Sequence, residues 1–510
     1  MALNPLKKLA GQTAIYGSST IAARFLNYFL TFFYTRIFIH PTELAVYSYF
    51  YAIIPFVLNV LSYGMETAYF RFSLKYKTNP AVYSTSLISI LCSTIVFLIF
   101  VVLFNQSIST TLYSNEQGIS HPEYIVWIAF ILAFDTLSAI PFAKLRIENK
   151  AKRFAIIRTL NIVINIFFNL VFLLLFPWMA KHFEGHLIKQ LLSFVYNPNI
   201  GVGYIFIANL IASFFTILLL MPEYINISFK FDKTIWKELF KYAWPLMFLG
   251  LAGSVNETFD RVIMKWIIPH NAFPSAEFQL GVYGVCYKLS IVMTLFITMF
   301  RYAAEPFFFS HSTQTDSKTI YTQVMNWFVI VCSFIFLSVM LNIDLLKLLV
   351  TKEYRVGMNV VAILLIANMF LGIFYNLSIW YKLTDKTKLG ALVAIIGAGI
   401  TIILNFILVP IYGYIGAAWA TLICYLSVMV ISYFLGQKHY PIDYNLKKFG
   451  LYFIVALGLY ALNLIIRDSN LPLHFVINNL FLLPLILLVI KVEKIDVRAL
   501  IIKINGRIKR

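Results

Sequence analysis

Thr20, Arg24, Asn27, Thr31 and Thr35 recur at helical spacing inside one long apolar stretch, so an arginine and four neutral polar groups share a helix face. In a second apolar stretch Glu257, Arg261 and Lys265 follow one another every four residues, with Asp260 three residues after Glu257. Lys288 and Arg301 punctuate a third, Asp135 stands alone in a fourth, Glu305 lies near the end of the same run as Lys288 and Arg301, and Glu66 near the end of a fifth. A charge at the centre of a bilayer costs roughly 2.5–3.5 kcal/mol on insertion scales, so such a set requires partners, a water-filled cavity or a ligand. Arg24, Arg261, Lys265, Lys288 and Arg301 outnumber the neighbouring acids Glu257, Asp260 and Glu305, which leaves a cationic surplus suited to an anion. Arginine matches phosphate in particular, because its planar fork donates to two oxygens at once. The acids Asp135, Glu257, Asp260, Glu305 and Glu66 are candidates for ion coupling or gating. The competing reading is that these charges only pair off to fix helix packing, and Glu257 with Arg261 has the favourable i, i+4 orientation for it. Arg36 and Arg158 lie near the ends of apolar runs, where snorkelling to the interface accounts for them.

Catalytic chemistry has little to stand on. The eight histidines fall in polar segments or at the ends of apolar runs, and no HExxH, GxSxG or phosphate-cradling glycine loop occurs. His182 and His186 are spaced for one helix face, but a solvated loop explains them better than a metal. Cys92, Cys286, Cys332 and Cys424 form no CxxC pair, which argues against a disulfide framework and a zinc site. The expectation is a protein that is not an enzyme and holds no cofactor or metal.

The elements that must position these charges are long helices. The 510 residues are 60% hydrophobic and only 12% charged, and apolar runs of about 20 residues, the length of a spanning helix, recur along the chain. Runs such as Leu87 to Phe104 do not alternate in polarity, which excludes a membrane β-barrel. Spans are expected near 12–38, 44–70, 82–104, 123–143, 155–179, 203–221, 242–268, 279–306, 323–343, 358–380, 389–409, 413–435, 449–466 and 474–490. The first is read as a retained span rather than a cleaved leader, since it contains Arg24 and lacks a small-residue cleavage site. With the N-terminus inside, 28 of the 41 Lys and Arg fall in inner segments, and the outer loops hold only Lys181, Lys189, Lys347, Lys352, Arg355 and Arg467. The net charge of +19 is thus mainly a topology signal and not a nucleic-acid footprint. The basic segment 491–510 suits an anionic inner leaflet or a simple solubilising tail.

A faint repeat sets the domain plan. Leu44-Ala-Val-Tyr47-Ser-Tyr-Phe-Tyr51 aligns with Leu280-Gly-Val-Tyr283-Gly-Val-Cys-Tyr287, and at the same offset Asn169 aligns with Asn405. The offset crosses an even number of spans, so the halves share one orientation. The fold expected is all-α and integral to the membrane: 14 helices with both ends in the cytoplasm. They would form two six-helix lobes in parallel pseudo-two-fold repeat, 1–225 and 226–440, followed by two helices and a basic tail over 441–510.

Four stretches carry a family resemblance: Tyr34 to Tyr47, Leu145 to Phe154, Asp260-Arg261, and Asn405-Phe-Ile-Leu-Val-Pro-Ile-Tyr-Gly-Tyr-Ile-Gly-Ala-Ala-Trp-Ala-Thr421. They resemble the polysaccharide transporter branch of the multidrug, oligosaccharidyl-lipid and polysaccharide exporter superfamily. Ala45 stands where that pattern usually has Gly. The resemblance implies a flippase in a bacterial inner (plasma) membrane that moves a polyprenyl-pyrophosphate-linked oligosaccharide outward for surface polysaccharide synthesis, such as O-antigen. It implies Arg24 and Arg261 as pyrophosphate ligands, with alternating access, and the bilayer, the lipid-linked substrate and protons or sodium as partners. Two other readings stand beside it: a cation-coupled multidrug exporter of the same superfamily, whose cavity should be net acidic, and a membrane glycan polymerase or ligase, which needs a long external loop.

Overall fold

The computed structural model describes residues 26, 28–76, 79–112, 121–182, 186–225, 230–311, 316–384, 386–466 and 477–496. Within them every regular element is helical. The first expected span falls largely outside the described residues, as does Arg24; helix α1 is described over 28–37. There follow α2 (Pro41–Ser62), α3 (Met65–Lys75), α4 (Pro80–Leu112), α5 (Pro122–Ile147), α6 (Ala151–Leu170), α7 (Phe176–His182), α8 (His186–Val195), α9 (Gly203–Leu219), α10 (Met221–Ile225) and α11 (Lys233–Ile267). The chain continues through α12 (Ala276–Leu289), α13 (Ile291–His311), α14 (Ser317–Leu341), α15 (Ile343–Lys347), α16 (Asn359–Leu377), α17 (Ile379–Leu383), α18 (Thr387–His439), α19 (Leu446–Ile466) and α20 (Leu482–Val492).

Among the described residues, eight helices are long and apolar enough to cross a membrane, or nine with α12 and α13 taken as one broken span. The exposed residues say what surrounds them. On α4, Ile95, Val96, Ile99, Phe100, Leu103 and Phe104 all point outward, a continuous apolar surface that water would not tolerate and lipid does. The fold is therefore all-α and membrane-embedded. The 53-residue α18 runs through two of the expected spans and bends where Gly413 takes φ +57°, a conformation reserved for glycine. Gln279 fills that bend: its Oε1 accepts from the Tyr414 backbone N–H (3.1 Å) while its Nε2 donates to the Pro274 carbonyl (2.8 Å).

Contacts divide the chain into two compact units, Met1–Lys288 with Ala394–Ala420, and Leu289–Val393 with Thr421–Arg510. In the first, starts and stops follow local chemistry. Prolines open α2 and α5, and Asp232 caps α11 by accepting from the Thr234 and Ile235 N–H groups. Helix α2 ends at Tyr63 and Gly64, both at positive φ, and at Gly64 an added Cβ would sit 2.6 Å from the Ala243 carbonyl oxygen, so both the backbone conformation and the close approach call for glycine there. The two repeated octads pack on each other: a Cβ at Gly281 would meet Pro41 O at 1.9 Å and one at Gly284 would meet Ser48 Oγ at 2.2 Å, so small residues bring α2 and α12 together.

In the second unit α14 packs against α19 and α20 through amides. Asn342 and Asn479 exchange reciprocal hydrogen bonds at 3.1 Å, Asn463 donates to Asn478 at 2.6 Å, and Asn478 donates to the Leu341 carbonyl at 2.9 Å.

Candidate functional site

Three apolar helices of the first unit each carry a polar stripe at helical spacing. On α5 the stripe is Asp135, Ser138 and Arg146, with the apolar Phe142 on the same face; on α6 it is Arg158, Asn161 and Asn165; on α9 it is Asn209, Ser213 and Thr216. They converge with Tyr28 and Tyr34 of α1, Tyr47 and Tyr51 of α2, Glu66 of α3 and Lys288 of α12 on a cavity of about 510 Å³. That is the size of a small-molecule site.

The wall is held by its own hydrogen bonds. The Tyr34 hydroxyl donates to Asn169 Oδ1 (2.8 Å), and Asn169 Nδ2 donates to Asn165 Oδ1 (2.6 Å). Asn209 Nδ2 donates to the Tyr51 hydroxyl (2.8 Å), and Asn161 Nδ2 to Thr216 Oγ1 (2.9 Å). Asn169 sits just before a π-helical turn over Val171–Leu175, the kind of irregularity that concentrates at functional sites. Asp135 lies within the bundle yet keeps an open surface toward the cavity, and accepts from the Ser213 hydroxyl at 2.9 Å. Arg158 stacks over Phe142 (4.3 Å) within the field of Asp135. Glu66 and Arg146 form an ion pair, and Lys288 Nζ lies 4.8 Å from the centre of the Tyr28 ring. Thr136 Oγ1 and Arg146 Nε are buried with no hydrogen-bond partner, so the lining retains unused polar capacity.

Of the charges singled out in the sequence, those described in the first unit fall into separate groups. Lys288, Asp135 and Glu66 line the cavity. Arg261 is close enough to Lys288 for their charges to repel, but it is engaged: Nε donates to Asp260 Oδ1 (3.3 Å), and the guanidinium stacks on Tyr287 (4.1 Å). The Tyr283 hydroxyl donates to Asp260 Oδ2 at 2.6 Å and fixes that carboxylate. The i, i+4 ion pair expected between Glu257 and Arg261 is replaced. Arg261 pairs with the buried Asp260 and takes the Glu257 backbone carbonyl, while the Glu257 side chain is exposed. The short, tyrosine-anchored aspartate gives a desolvated partner that a solvated glutamate does not. Lys265 lies in the field of Glu277, and Arg301 stacks on Tyr375 (4.9 Å) in the second unit. Arg24 and the Glu305 side chain lie outside what is described.

Arg146 and Arg158 are the functional candidates that sequence reasoning passed over. The signal was present for Arg158, which begins the stripe Arg158, Asn161, Asn165, Asn169 at spacings of three and four. Proximity to the end of a span hid it behind the snorkelling explanation.

Comparison with known proteins agrees with this architecture. Residues 9–312, more than half of the chain, match the family described as polysaccharide biosynthesis protein. The chain is 25% identical over 374 residues to the capsular polysaccharide biosynthesis protein CapF of Staphylococcus aureus, covering 71% of this chain and 83% of CapF. Its fold is similar to that of the lipid II flippase MurJ in an inward closed conformation, at a TM-score of 0.74, 15% identity and coverage of 95% of this chain and 99% of MurJ. An inward-facing multidrug resistance transporter of the MATE family in the MOP superfamily gives a TM-score of 0.59 at 14% identity, over 84% of this chain and 94% of that one. The resemblance read from the motifs holds, and the chain belongs to the polysaccharide biosynthesis protein family.

Proposed function

We propose that this protein is a flippase that carries a polyprenyl-pyrophosphate-linked oligosaccharide from the inner to the outer leaflet of a bacterial plasma membrane. The observation that carries the reading is the charge and chemistry of the cavity in the first unit. Arg146, Arg158 and Lys288 face it against two carboxylates among the described lining residues, Glu66 and Asp135, and phenols, amides and hydroxyls cover much of the rest. Cations attract the pyrophosphate, while groups that both donate and accept suit a polyol. The MurJ and CapF likenesses support the same class of cargo.

In this reading Arg24, Arg261, Lys265 and Lys288 attract the pyrophosphate together with Arg146 and Arg158. The lipid tail stays in the bilayer, and the repeat-related lobes 1–225 and 226–440 alternate access, with 441–510 outside the repeat. Asp135, Glu66, Glu257, Asp260 and Glu305 are the candidates for proton or sodium coupling and gating. The protein acts as a carrier and not as an enzyme. A multidrug exporter is the second reading, favoured by the MATE fold likeness; the cationic excess on the wall opposes it, because an exporter of cations needs the reverse polarity.

The test is complementation of a strain lacking its oligosaccharide flippase. Charge reversal at Arg158, Lys288, Arg24 or Arg261 is expected to abolish surface polysaccharide while membrane insertion persists. Normal polysaccharide from all four inserted variants would overturn the assignment.

A further inference from the structure

On one wall of the cavity in the first unit the hydrogen bonds all run in one direction. The Tyr34 hydroxyl donates to Asn169 Oδ1 (2.8 Å), Asn169 Nδ2 to Asn165 Oδ1 (2.6 Å), Asn165 Nδ2 to Asn209 Oδ1 (3.5 Å), and Asn209 Nδ2 to the Tyr51 hydroxyl (2.8 Å). Each amide in the series accepts from one neighbour and donates to the next, so the chain ends on a group that has accepted and has yet to donate. That group is Tyr51, which lines the cavity and whose own proton goes to no described residue. Tyr51 lies in the field of Asp135, and Asp135 is its complement. Asp135 Oδ1 accepts from Ser213 Oγ at 2.9 Å, while Oδ2 takes no hydrogen bond or ion pair from any described residue. A carboxylate inside a membrane bundle with half of its acceptor capacity idle is costly unless a ligand or water comes to it. Thr136, the next residue of α5, lines the same cavity at 2% exposure, and its Oγ1 is buried without a partner. The wall thus offers a donor, an acceptor and a hydroxyl that can do either. A metal ion would use only the acceptors and a bare anion only the donors. An alcohol uses the whole set, because its oxygen accepts from the phenol while its proton goes to the carboxylate.

We propose that Tyr51, Asp135 and Thr136 form a sugar subsite that reads the hydroxyls of the glycan in the lipid-linked cargo. The subsite rests on the flippase reading and deepens it. Arg146 lies three turns further along α5, about 16 Å by the helical rise, so a pyrophosphate drawn to that end leaves the Asp135 end to the sugar attached to it. Recognition here depends on the direction of hydrogen bonds and not on the net charge of the cavity.

The test is native mass spectrometry of the full-length protein from phosphatidylcholine nanodiscs doped with a polyprenyl pyrophosphate, either sugar-free or carrying one glucosyl unit. Wild type should retain the glucosylated lipid about tenfold better than the sugar-free one. Measured against the sugar-free lipid bound by the same variant, Asp135→Asn should cut that preference about tenfold, as expected for loss of a charge-assisted contact, and Tyr51→Phe about fivefold, for loss of a neutral one. Retention of the sugar-free lipid by both variants shows that the cavity still forms, which separates a lost subsite from a lost fold. Equal retention of the two dopants by wild type, or a preference that either substitution leaves unchanged, would overturn the subsite. The flippase reading survives that result as long as both dopants are retained over phosphatidylcholine; it fails, and the subsite with it, if neither is.

Discussion

Both units bury amide side chains in apolar helices, and they use them in opposite ways. In the second unit Asn342, Asn463, Asn478 and Asn479 close on one another or on the Leu341 carbonyl, joining α14 to α19 and α20. In the first unit Asn161, Asn165 and Asn209 also make hydrogen bonds, Asn165 and Asn209 through both ends of the amide, yet all three border about 510 Å³ of open volume. A polar residue in a membrane helix therefore marks function when it borders space and packing when its neighbours enclose it. Energetics sharpen the distinction. Interhelical hydrogen bonds in membranes contribute about 0.6 kcal/mol on average and at most about 1.7, so a polar stripe facing a cavity is hard to justify by stability alone.

Exchanging an amide for leucine in each region is the strongest way to break this comparison. Asn209→Leu should leave the thermal midpoint close to wild type or raise it slightly, yet abolish polysaccharide export by removing a polar group from the cavity wall. Asn478→Leu should cost about 0.6–1.7 kcal/mol of stability, read as a lower midpoint in detergent, and leave export intact at permissive temperature. Transport loss from Asn478→Leu with full export from Asn209→Leu would invert the assignment of the two regions.

An effect on stability alone, with no change in export at stake, tests whether satisfied polar groups at a helix break belong with packing. Gly413 adopts φ +57° and ψ −138°, and an added Cβ would sit 1.9 Å from Gln279 Oε1. Gly413→Ala should destabilise by about 1–3 kcal/mol, the usual cost of forcing a side chain into a glycine-only conformation. Adding Gln279→Ala should remove the steric part and leave the backbone part, which a double-mutant cycle of melting midpoints resolves. Purely additive midpoints would show that Gln279 does not enforce the bend.

The sequence carried the helical class, the alternation of basic loops and the Asn405 to Thr421 motif, because hydropathy, charge and glycine are local signals. It carried one wall of the cavity only as unread spacing: the polar positions of α5, α6 and α9 are visible in the sequence, but nothing local says that they face each other. The same limit explains Arg261. Periodicity offered Glu257 four residues away, whereas the partner chosen is Asp260, held by Tyr283 from another helix. Arg301 and Lys288 looked alike as charges in one apolar run. Their surroundings differ because Lys288 reaches the cavity of the first unit and Arg301 stacks on Tyr375 in the second.

The weakest expected effect lies outside the membrane, where a polar contact is neither cavity wall nor helix clasp. Lys75 at the end of α3 donates to Glu238 near the start of α11 at 2.7 Å, and the Tyr76 hydroxyl donates to the same carboxylate at 2.9 Å. These donors hold the Glu238 carboxyl below its ordinary range, and the carboxylate holds the Lys75 ammonium above its own. The signs define the window. A carboxyl depressed on folding stabilises above its unfolded value, near pH 4.3, and loses that contribution as pH falls through the folded value; a raised ammonium stabilises below about pH 10.4 and loses it as pH rises further. Wild type should therefore melt slightly above Glu238→Gln across the neutral range. The gap should close in acid and shrink with salt, because the pair is exposed and screened. A gap that persists unchanged at acid pH and high salt would mean that Glu238 acts through packing, and would move this contact into the same class as the asparagines of the second unit.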